Sequence, residues 1–441
     1  MLVYMNLTFC ISKTWVICSF ILLRMRNSPF WIILVCFMVL LDFYVFQAVK
    51  VLSQSAGSKT KSIIYISYWV LSAMALITIL VLPYLNFDNL PKGLRNSIFA
   101  LIVALFFGKL IAAVFFLIDD IRRGIQWVAG KAFFSNTEGA DLQEGEKITR
   151  SLFFTWLGVA AGGGLLGSLI YGFSNKYNYK IKKLALQFPN LPASFKGLRI
   201  IQISDVHCGS FNDKPAVQRG IDKILQLKPD LILFTGDLVN NKADEMIEYM
   251  EIFNQLKAPL GVYSILGNHD YGDYVQWDNA KEKTANLDKL KSTHAELGWK
   301  LMLNENSIIE KGGDKIALLG VENWSVKARF PKYGKLRQAY IGTENIPFKI
   351  LLSHDPSHWE GEVLTTYNDI DLMLAGHTHG MQFGVEIPWL KWSPVQYVYR
   401  QWAGLYEKNA QKLYVNRGFG FIGYPGRVGI LPEITLVELT S

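Results

Sequence analysis

Two regimes of hydrophobic patterning divide the chain. In the first, long apolar runs at Pro29–Val49, Ser62–Leu85, Ile98–Leu117 and Leu152–Phe173 each come close to the roughly 20 residues that carry a helix across a bilayer. Four membrane helices are the simplest expectation. An earlier stretch, Leu2–Leu23, is interrupted by Lys13; it reads as a signal-like segment, a further span or the product of an over-early start, so residues 1–28 stay unassigned. Lys109 lies inside the third run and is expected to snorkel or to face a neighbouring helix. Gly162, Gly163, Gly164 and Gly167 in the fourth run are expected to let helices approach closely.

From Ser174 onward the period shortens. Tyr179–Leu186 alternates as a strand, Pro189 and Pro192 break the chain, and apolar runs follow at Leu198–Ser204, Leu231–Thr235, Val262–Leu266, Phe348–Ser353 and Ile370–Ala375, with others near residues 316, 412 and 432. Pro215–Leu227 and Ala243–Leu256 carry apolar residues three and four apart and predict helices. Tyr271–Leu297 is polar with a helical pattern and reads as a surface helix. Strand–helix alternation, then strands in closer succession, predicts an α/β (α+β) domain with a mixed sheet or two packed sheets flanked by helices. No internal repeat is visible. The expected organisation is a transmembrane helical region over residues 29–173, a linker and first strand over 174–197, and one domain over 198–441.

Composition agrees with this split. Across 441 residues, 50% are hydrophobic and 13% aromatic, high for a purely soluble protein, and the excess sits in the first 175. The net charge of +8 is spread through loops, with no basic run or interleaved aromatic platform, so nucleic acid is excluded as a partner. Membrane lipids, or a phosphorylated small-molecule or lipid substrate, remain compatible with it; nothing in the sequence sets an oligomeric state. Lys and Arg near the span ends number eight on one side and seven on the other, or nine if the early start is real, so charge does not orient the chain. The stretch Ile148–Phe154 has a faint likeness to a twin-arginine export signal with one arginine missing, and tips the expectation toward a domain outside the cytoplasm on a multi-pass cell (inner) membrane protein. Cys10, Cys18 and Cys36 lie in the apolar region and Cys208 stands by itself after Ser174, so no disulfide framework exists there. Cys208 reads as a small packed residue.

Candidate chemistry gathers where the strands stop. Leu198–Ser204 ends in Asp205-Val206-His207, Leu231–Thr235 in Gly236-Asp237, Val262–Leu266 in Gly267-Asn268-His269-Asp270, Phe348–Ser353 in His354, and Ile370–Ala375 in Gly376-His377-Thr378-His379. Five β-rich runs that each end at a nitrogen or oxygen donor point to a metal site. Residues i and i+2 of an extended segment share a side, so His377 and His379 can address one centre.

These blocks, in this order, resemble the calcineurin-like metallophosphoesterases in their membrane-associated or exported bacterial branch, over about residues 180–441. The resemblance implies a two-sheet αββα sandwich and a phosphoric ester hydrolase with two divalent cations. Asp237 would bridge the pair, Asp205, His207 and His379 would hold one ion, and Asn268, His354 and His377 the other. Imidazole and oxygen donors without thiolate suit Mn, Fe or Zn. The cations would clamp a phosphate oxygen and hold a hydroxide for in-line attack on a phosphomonoester or phosphodiester. The catalytic pair is His269, stabilising charge or protonating the leaving oxygen, with Asp270 orienting its ring. His294 and His358 read as structural. Asp213 and Asn240 are candidates for supporting or capping roles, and Arg427 for a phosphate contact. One departure stands out: relatives commonly carry GGQ after the HxH, and this chain has Gly380-Met381-Gln382. The alternatives are a UDP-diacylglucosamine-type pyrophosphate hydrolase and a catalytically silent membrane sensor or scaffold.

Overall fold

The computed structural model describes residues 29–81, 92–134 and 150–441; the stretches Leu2–Leu23 and Leu82–Leu85 lie outside these. Two compact units divide the chain, residues 1–168 and 169–441.

The first unit contains the helices α1 (Pro29–Leu52), α2 (Ser58–Val81) and α3 (Lys92–Phe134) and most of α4 (Leu152–Gly172). All four are long and apolar enough to span a bilayer. α3 is longer than the apolar run that signalled it. Beyond Leu117 it continues through Asp119, Asp120, Arg122 and Arg123, where Arg122 pairs with Asp119 at 2.8 Å across one turn and Asp120 also pairs with Arg150 at 2.9 Å, so charged groups in the extension are compensated. Lys109 faces its neighbours: its Nζ lies 2.5 Å from Asp42 Oδ1 on α1 and 2.8 Å from Ser72 Oγ on α2. Asp42 is buried, and its carboxylate supplies the partner that an ammonium at this depth needs. Of the four glycines flagged in α4, Gly162 meets the expectation, since a Cβ there would strike the Gly108 carbonyl. Gly163, Gly164 and Gly167 have open space, and Gly158, against Phe116 and Ala112, is the second close approach.

The second unit is built on two six-stranded sheets. One has the order β1 (Lys180–Gln187), β14 (Glu433–Thr440), β2 (Arg199–Ile203), β3 (Leu231–Phe234), β4 (Val262–Ser264), β5 (Lys300–Leu301). The other runs β12 (Gly404–Lys408), β13 (Gln411–Val415), β9 (Leu372–Ala375), β8 (Lys349–Leu352), β7 (Asp314–Gly320), β6 (Glu305–Lys311), and a two-stranded hairpin joins β10 (Val385–Ile387) to β11 (Leu390–Trp392). Strand alternation distributes the core over three layers. Ile200, Leu231 and Leu233 from the first sheet meet Leu318, Ile350, Leu352, Leu372 and Leu374 from the second in one buried cluster between the sheets. Their neighbours Ile201, Ile203, Ile232 and Phe234 face the opposite way, onto α5 (Lys214–Gln226) and the segment after β3. Ala317, Leu319, Leu351 and Met373 do the same on the far side of the second sheet, against Leu336 and Trp359. Because β2, β3, β8 and β9 are buried on both faces, they read as continuous apolar runs rather than alternating ones.

Two helices differ in detail from expectation. α5 begins at Asp213, whose side chain accepts from Ala216 N at 2.9 Å; Asp213 is therefore a helix cap. The helix expected over Ala243–Leu256 is a 3-10 segment, Ala243–Tyr249, and one α turn, Met250–Phe253. Glu245 turns back to accept from the amides of Asn240, Asn241 and Lys242, which ties the first turn to the loop before it and tightens it. The polar helix α6 (Ala280–Glu296) lies on the surface, with Leu290, Thr293 and His294 turned inward.

Candidate metal centre

Both sheets deliver donors at the C-terminal ends of their parallel strands. β2 leads to Asp205 and His207, β3 to Asp237, β4 to Asn268 and His269, β8 to His354, and β9 to His377 and His379. The strand pairs β2–β3, β3–β4 and β8–β9 are parallel, so these loops emerge at one end of the sandwich. Five of the donor residues have left-handed backbone: Asp205 (φ 52°), His207 (46°), Asp237 (60°), His377 (71°) and His379 (50°). Non-glycine residues hold that conformation only where the surroundings impose it, and they gather at functional sites. Gly376 is required here, because a Cβ would collide with Ser204 Oγ and the Asp205 carboxylate.

The geometry brings seven donors together in two overlapping groups, Asp205–His207–His379 and Asp205–Asp237–His354, with Asn268 and His377 adjoining the second. Asp205 is common to both groups, and Asp237 Oδ2, 3.1 Å from His354 Nε2, also lies 3.5 Å from His207 Nε2 in the first. His379 Nε2 is 3.3 Å from Asp205 Oδ1, and Asn268 Oδ1 lies 2.8 Å from His377 Nδ1 and 3.2 Å from His354 Nε2. Among the described residues, both ring nitrogens of His207 and Nε2 of His379 are buried without a hydrogen-bond partner. Such atoms are costly in a dry interior unless something absent from the polypeptide satisfies them, and a cation held by imidazole and carboxylate fits that need.

Burial sets the charge states. It pushes His207 down to about 3 and His377 down to about 4, and drives His379 well below the usual range, so these rings are neutral and able to coordinate. His354 behaves otherwise: burial opposes its charged form, yet the adjoining Asp237 carboxylate raises it to about 10. Asp237 is held well below the normal carboxylate range, against burial, by His354 and its neighbours. Desolvation, helped by the Asp237 charge, raises Asp205 to about 7.

Supporting contacts fix each donor. His354 Nδ1 is 2.7 Å from Thr235 O. The Asn268 amide nitrogen donates to Tyr274 Oη at 2.8 Å, which turns its oxygen inward. His377 Nε2 lies 2.9 Å from Tyr399 Oη, which in turn donates to Asp355 Oδ2 at 3.2 Å. Tyr274, Tyr399 and Asp355 escape a reading of the sequence. Asp355 alone leaves a signal there, by following His354 directly.

Two expected roles are corrected. Asp270 does not face the His269 ring; its carboxylate accepts from the backbone amides of Asp237, Leu238, Val239 and Gly267. The ring is oriented instead by Asn240, whose carbonyl lies 2.8 Å from His269 Nδ1. Asn240 therefore acts through its backbone. Arg427 is fully buried and donates to the carbonyls of Arg417, Gly418 and Gly420, with Nη2 3.2 Å from His379 Nδ1; it braces the wall behind that histidine and does not reach a substrate. His358 is closed off between Ser353 and Glu362 and stacked on Trp324. His294 packs beside Phe234 and Trp299, and Cys208 sits in the core, as expected.

A cleft of about 450 Å³ opens over the donors, with His269 in its wall and Tyr274, Arg329, Phe330, Met381 and Val398 around it. Met381 adopts a left-handed φ of 55° and is exposed, so the departure from GGQ places a flexible apolar side chain at the mouth. Gln382 keeps a structural role, donating to Tyr424 O at 2.6 Å and accepting from Ile422 N at 2.7 Å.

Residues 198–381 match the family described as "Calcineurin-like phosphoesterase", and residues 25–176 match "Probable Calcineurin-like phosphoesterase, transmembrane domain". A transmembrane protein with metallophosphoesterase domain from Danio rerio is 29% identical over 61% of this chain and 60% of its own length. The uncharacterized metallophosphoesterase YkuE of Bacillus subtilis is 28% identical over 67% of this chain and 99% of its own. UDP-2,3-diacylglucosamine pyrophosphatase LpxG of Chlamydia muridarum is 26% identical over 55% of this chain and 83% of its own.

Proposed function

From the premise that this chain belongs to the calcineurin-like metallophosphoesterases and carries a four-helix membrane region, we propose that it is a membrane-anchored binuclear phosphoesterase that hydrolyses a phosphomonoester or phosphodiester. In this proposal residues 29–173 span the membrane, residues 174–197 link, and residues 198–441 carry the chemistry. The observation behind it is the donor set, with orphaned nitrogens on His207 and His379 and an Asp237 carboxylate lying 3.5 Å from His207 and 3.1 Å from His354.

Asp205, His207, Asp237 and His379 would hold one cation, and Asp237, Asn268, His354 and His377 the other; Mn, Fe or Zn suits these donors. When bound, such a pair supplies water activation and charge stabilisation at phosphorus. His269 then has a task of its own. With Nδ1–H donating to Asn240 O, Nε2 is the ring nitrogen left over, and in the imidazolium form the proton it carries passes to the departing oxygen, leaving the ring neutral. Asp270 holds the two loops that present Asp237 and His269, so it positions rather than transfers.

The test is hydrolysis of a chromogenic phosphodiester by the purified full chain with Mn²⁺. Wild type is expected to turn over, and His269→Ala to lower kcat by roughly 100-fold or more while both cations are retained. An inactive wild type with full metal content would favour a silent scaffold, and loss of metal from His269→Ala would remove the proton-donor role. A pyrophosphate-linked lipid is the second substrate reading, supported by the likeness to LpxG. We place the catalytic unit outside the cytoplasm. Protease added to right-side-out vesicles is then expected to digest it, and protection would reverse the placement.

A further inference from the structure

The β10–β11 hairpin makes its contacts with the domain through charged side chains and leaves apolar ones exposed. Its register pairs Val385 with Trp392, Glu386 with Lys391, and Ile387 with Leu390, so one face carries the two charges and the other carries four apolar side chains. In water the apolar face would turn to the core. Here the tertiary contacts come from the charged side: Glu386, half-buried, accepts from Arg417 Nη2 at 2.7 Å and pairs with Lys182 at 3.4 Å. Lys391, itself exposed, reaches the Ala403 carbonyl over the Trp402 ring, while Trp392 on the apolar side is half-buried. Val385, Ile387 and Leu390 are left exposed, and Trp389 at the tip is 81% exposed. Tyr397, 78% exposed, with Val398 and Met381, carries the apolar strip to the mouth of the metal cleft. A contiguous apolar strip of this kind marks an interaction surface.

The occupant follows from what adjoins it within this unit. Segment 424–428 supports the hairpin, through the Phe383–Val428 bridge and the bond from Gly384 N to Val428 O at 2.9 Å. The same segment receives the chain leaving the fourth candidate span: Arg427 N donates to Gly172 O at 2.9 Å, Tyr424 donates to Leu169 O, and the Tyr424 ring lies 5.6 Å from that of Phe173. Lys180 and Lys183, on the strand that follows, are exposed. Tryptophan and tyrosine at the tip, aliphatic residues beside them and lysines on the strand following the span have the chemistry of a bilayer interface with anionic headgroups.

The geometry points to the β10–β11 hairpin, with Tyr397 and Val398, as a lipid-interface anchor that seats the mouth of the metal cleft in the headgroup layer, where a lipid-borne phosphoester would reach it. Only the substrate part rests on the phosphoesterase reading; the anchoring does not. The full chain is placed in nanodiscs of phosphatidylcholine and phosphatidylglycerol, with and without brominated phosphatidylcholine. Trp389 emission is taken as wild type minus Trp389→Phe. Bromine near the headgroups is expected to quench that difference about twofold or more, and aqueous iodide to leave it unchanged, as for an interfacial indole. Quenching by iodide and not by bromine overturns the proposal. So does protection from both, which means cover by protein; if that protection appears only in discs holding two chains, the occupant is a second copy. Each result is read without hydrolysis and holds whether or not the enzyme reading fails.

Discussion

Asp237→Asn is expected to lower kcat/KM for a chromogenic phosphodiester by about three orders of magnitude, the scale seen when a preorganised charge at a reacting centre is removed. Asn keeps the shape, and the loop survives because the amides of residues 237–239 are held by Asp270 rather than by the Asp237 side chain. What disappears is a carboxylate lying 3.5 Å from His207 and 3.1 Å from His354. The charge that lifts His354 to about 10 goes with it. Metal analysis of the purified variant is therefore expected to give fewer than two cations per chain with unchanged far-ultraviolet dichroism. Wild-type turnover with both cations retained would refute the shared-carboxylate assignment.

Asp270→Ala is expected to act on folding. Its carboxylate is fully buried and accepts four backbone bonds of 2.8 to 3.2 Å, from Gly267, Asp237, Leu238 and Val239. Truncation leaves four amide groups without an acceptor in a dry interior, at about 1–3 kcal/mol each before relaxation. Because the losses overlap, a net destabilisation of about 4 kcal/mol is expected, read as a lower Tm of the second unit, with metal loss following. This is the reverse of the His269→Ala outcome, where metal stays and turnover falls. An alanine variant that melts with wild type would show that the two loops are held by something else.

The donor residues were legible because parallel strands buried on both faces end abruptly. An apolar run such as Leu231–Phe234 must stop where the chain leaves the core, and a polar residue at that stop stands at the C-terminal edge of the sheet, where ligands bind in such folds. The supporting residues were not legible. Tyr399 and Asp355 reach His377 from segments 44 residues apart in sequence, and no spacing rule encodes that meeting. Asp270 illustrates a subtler failure. Adjacency to His269 suggests a side-chain pair, yet the 3-10 turn His269–Tyr271 sends the carboxylate back to the amides of two loops. In the membrane unit, Lys109 was visible as an anomaly, but nothing in the sequence says that its partner is Asp42, 67 residues earlier in another span. The hairpin register was equally hidden, since three-residue strands carry too little alternation to say which face turns inward.

The donors divide between the sheets: Asp205, His207, Asp237 and Asn268 follow strands of the first, and His354, His377 and His379 follow strands of the second. Neither sheet can assemble the site by itself. Cation binding is then linked to the closed sandwich, and whatever binds only the native arrangement adds its binding free energy to the stability of that arrangement. A cation pair held as proposed would thus act as a clasp across the layers. Chelation of a cation pair held as proposed is therefore expected to lower the Tm of the second unit.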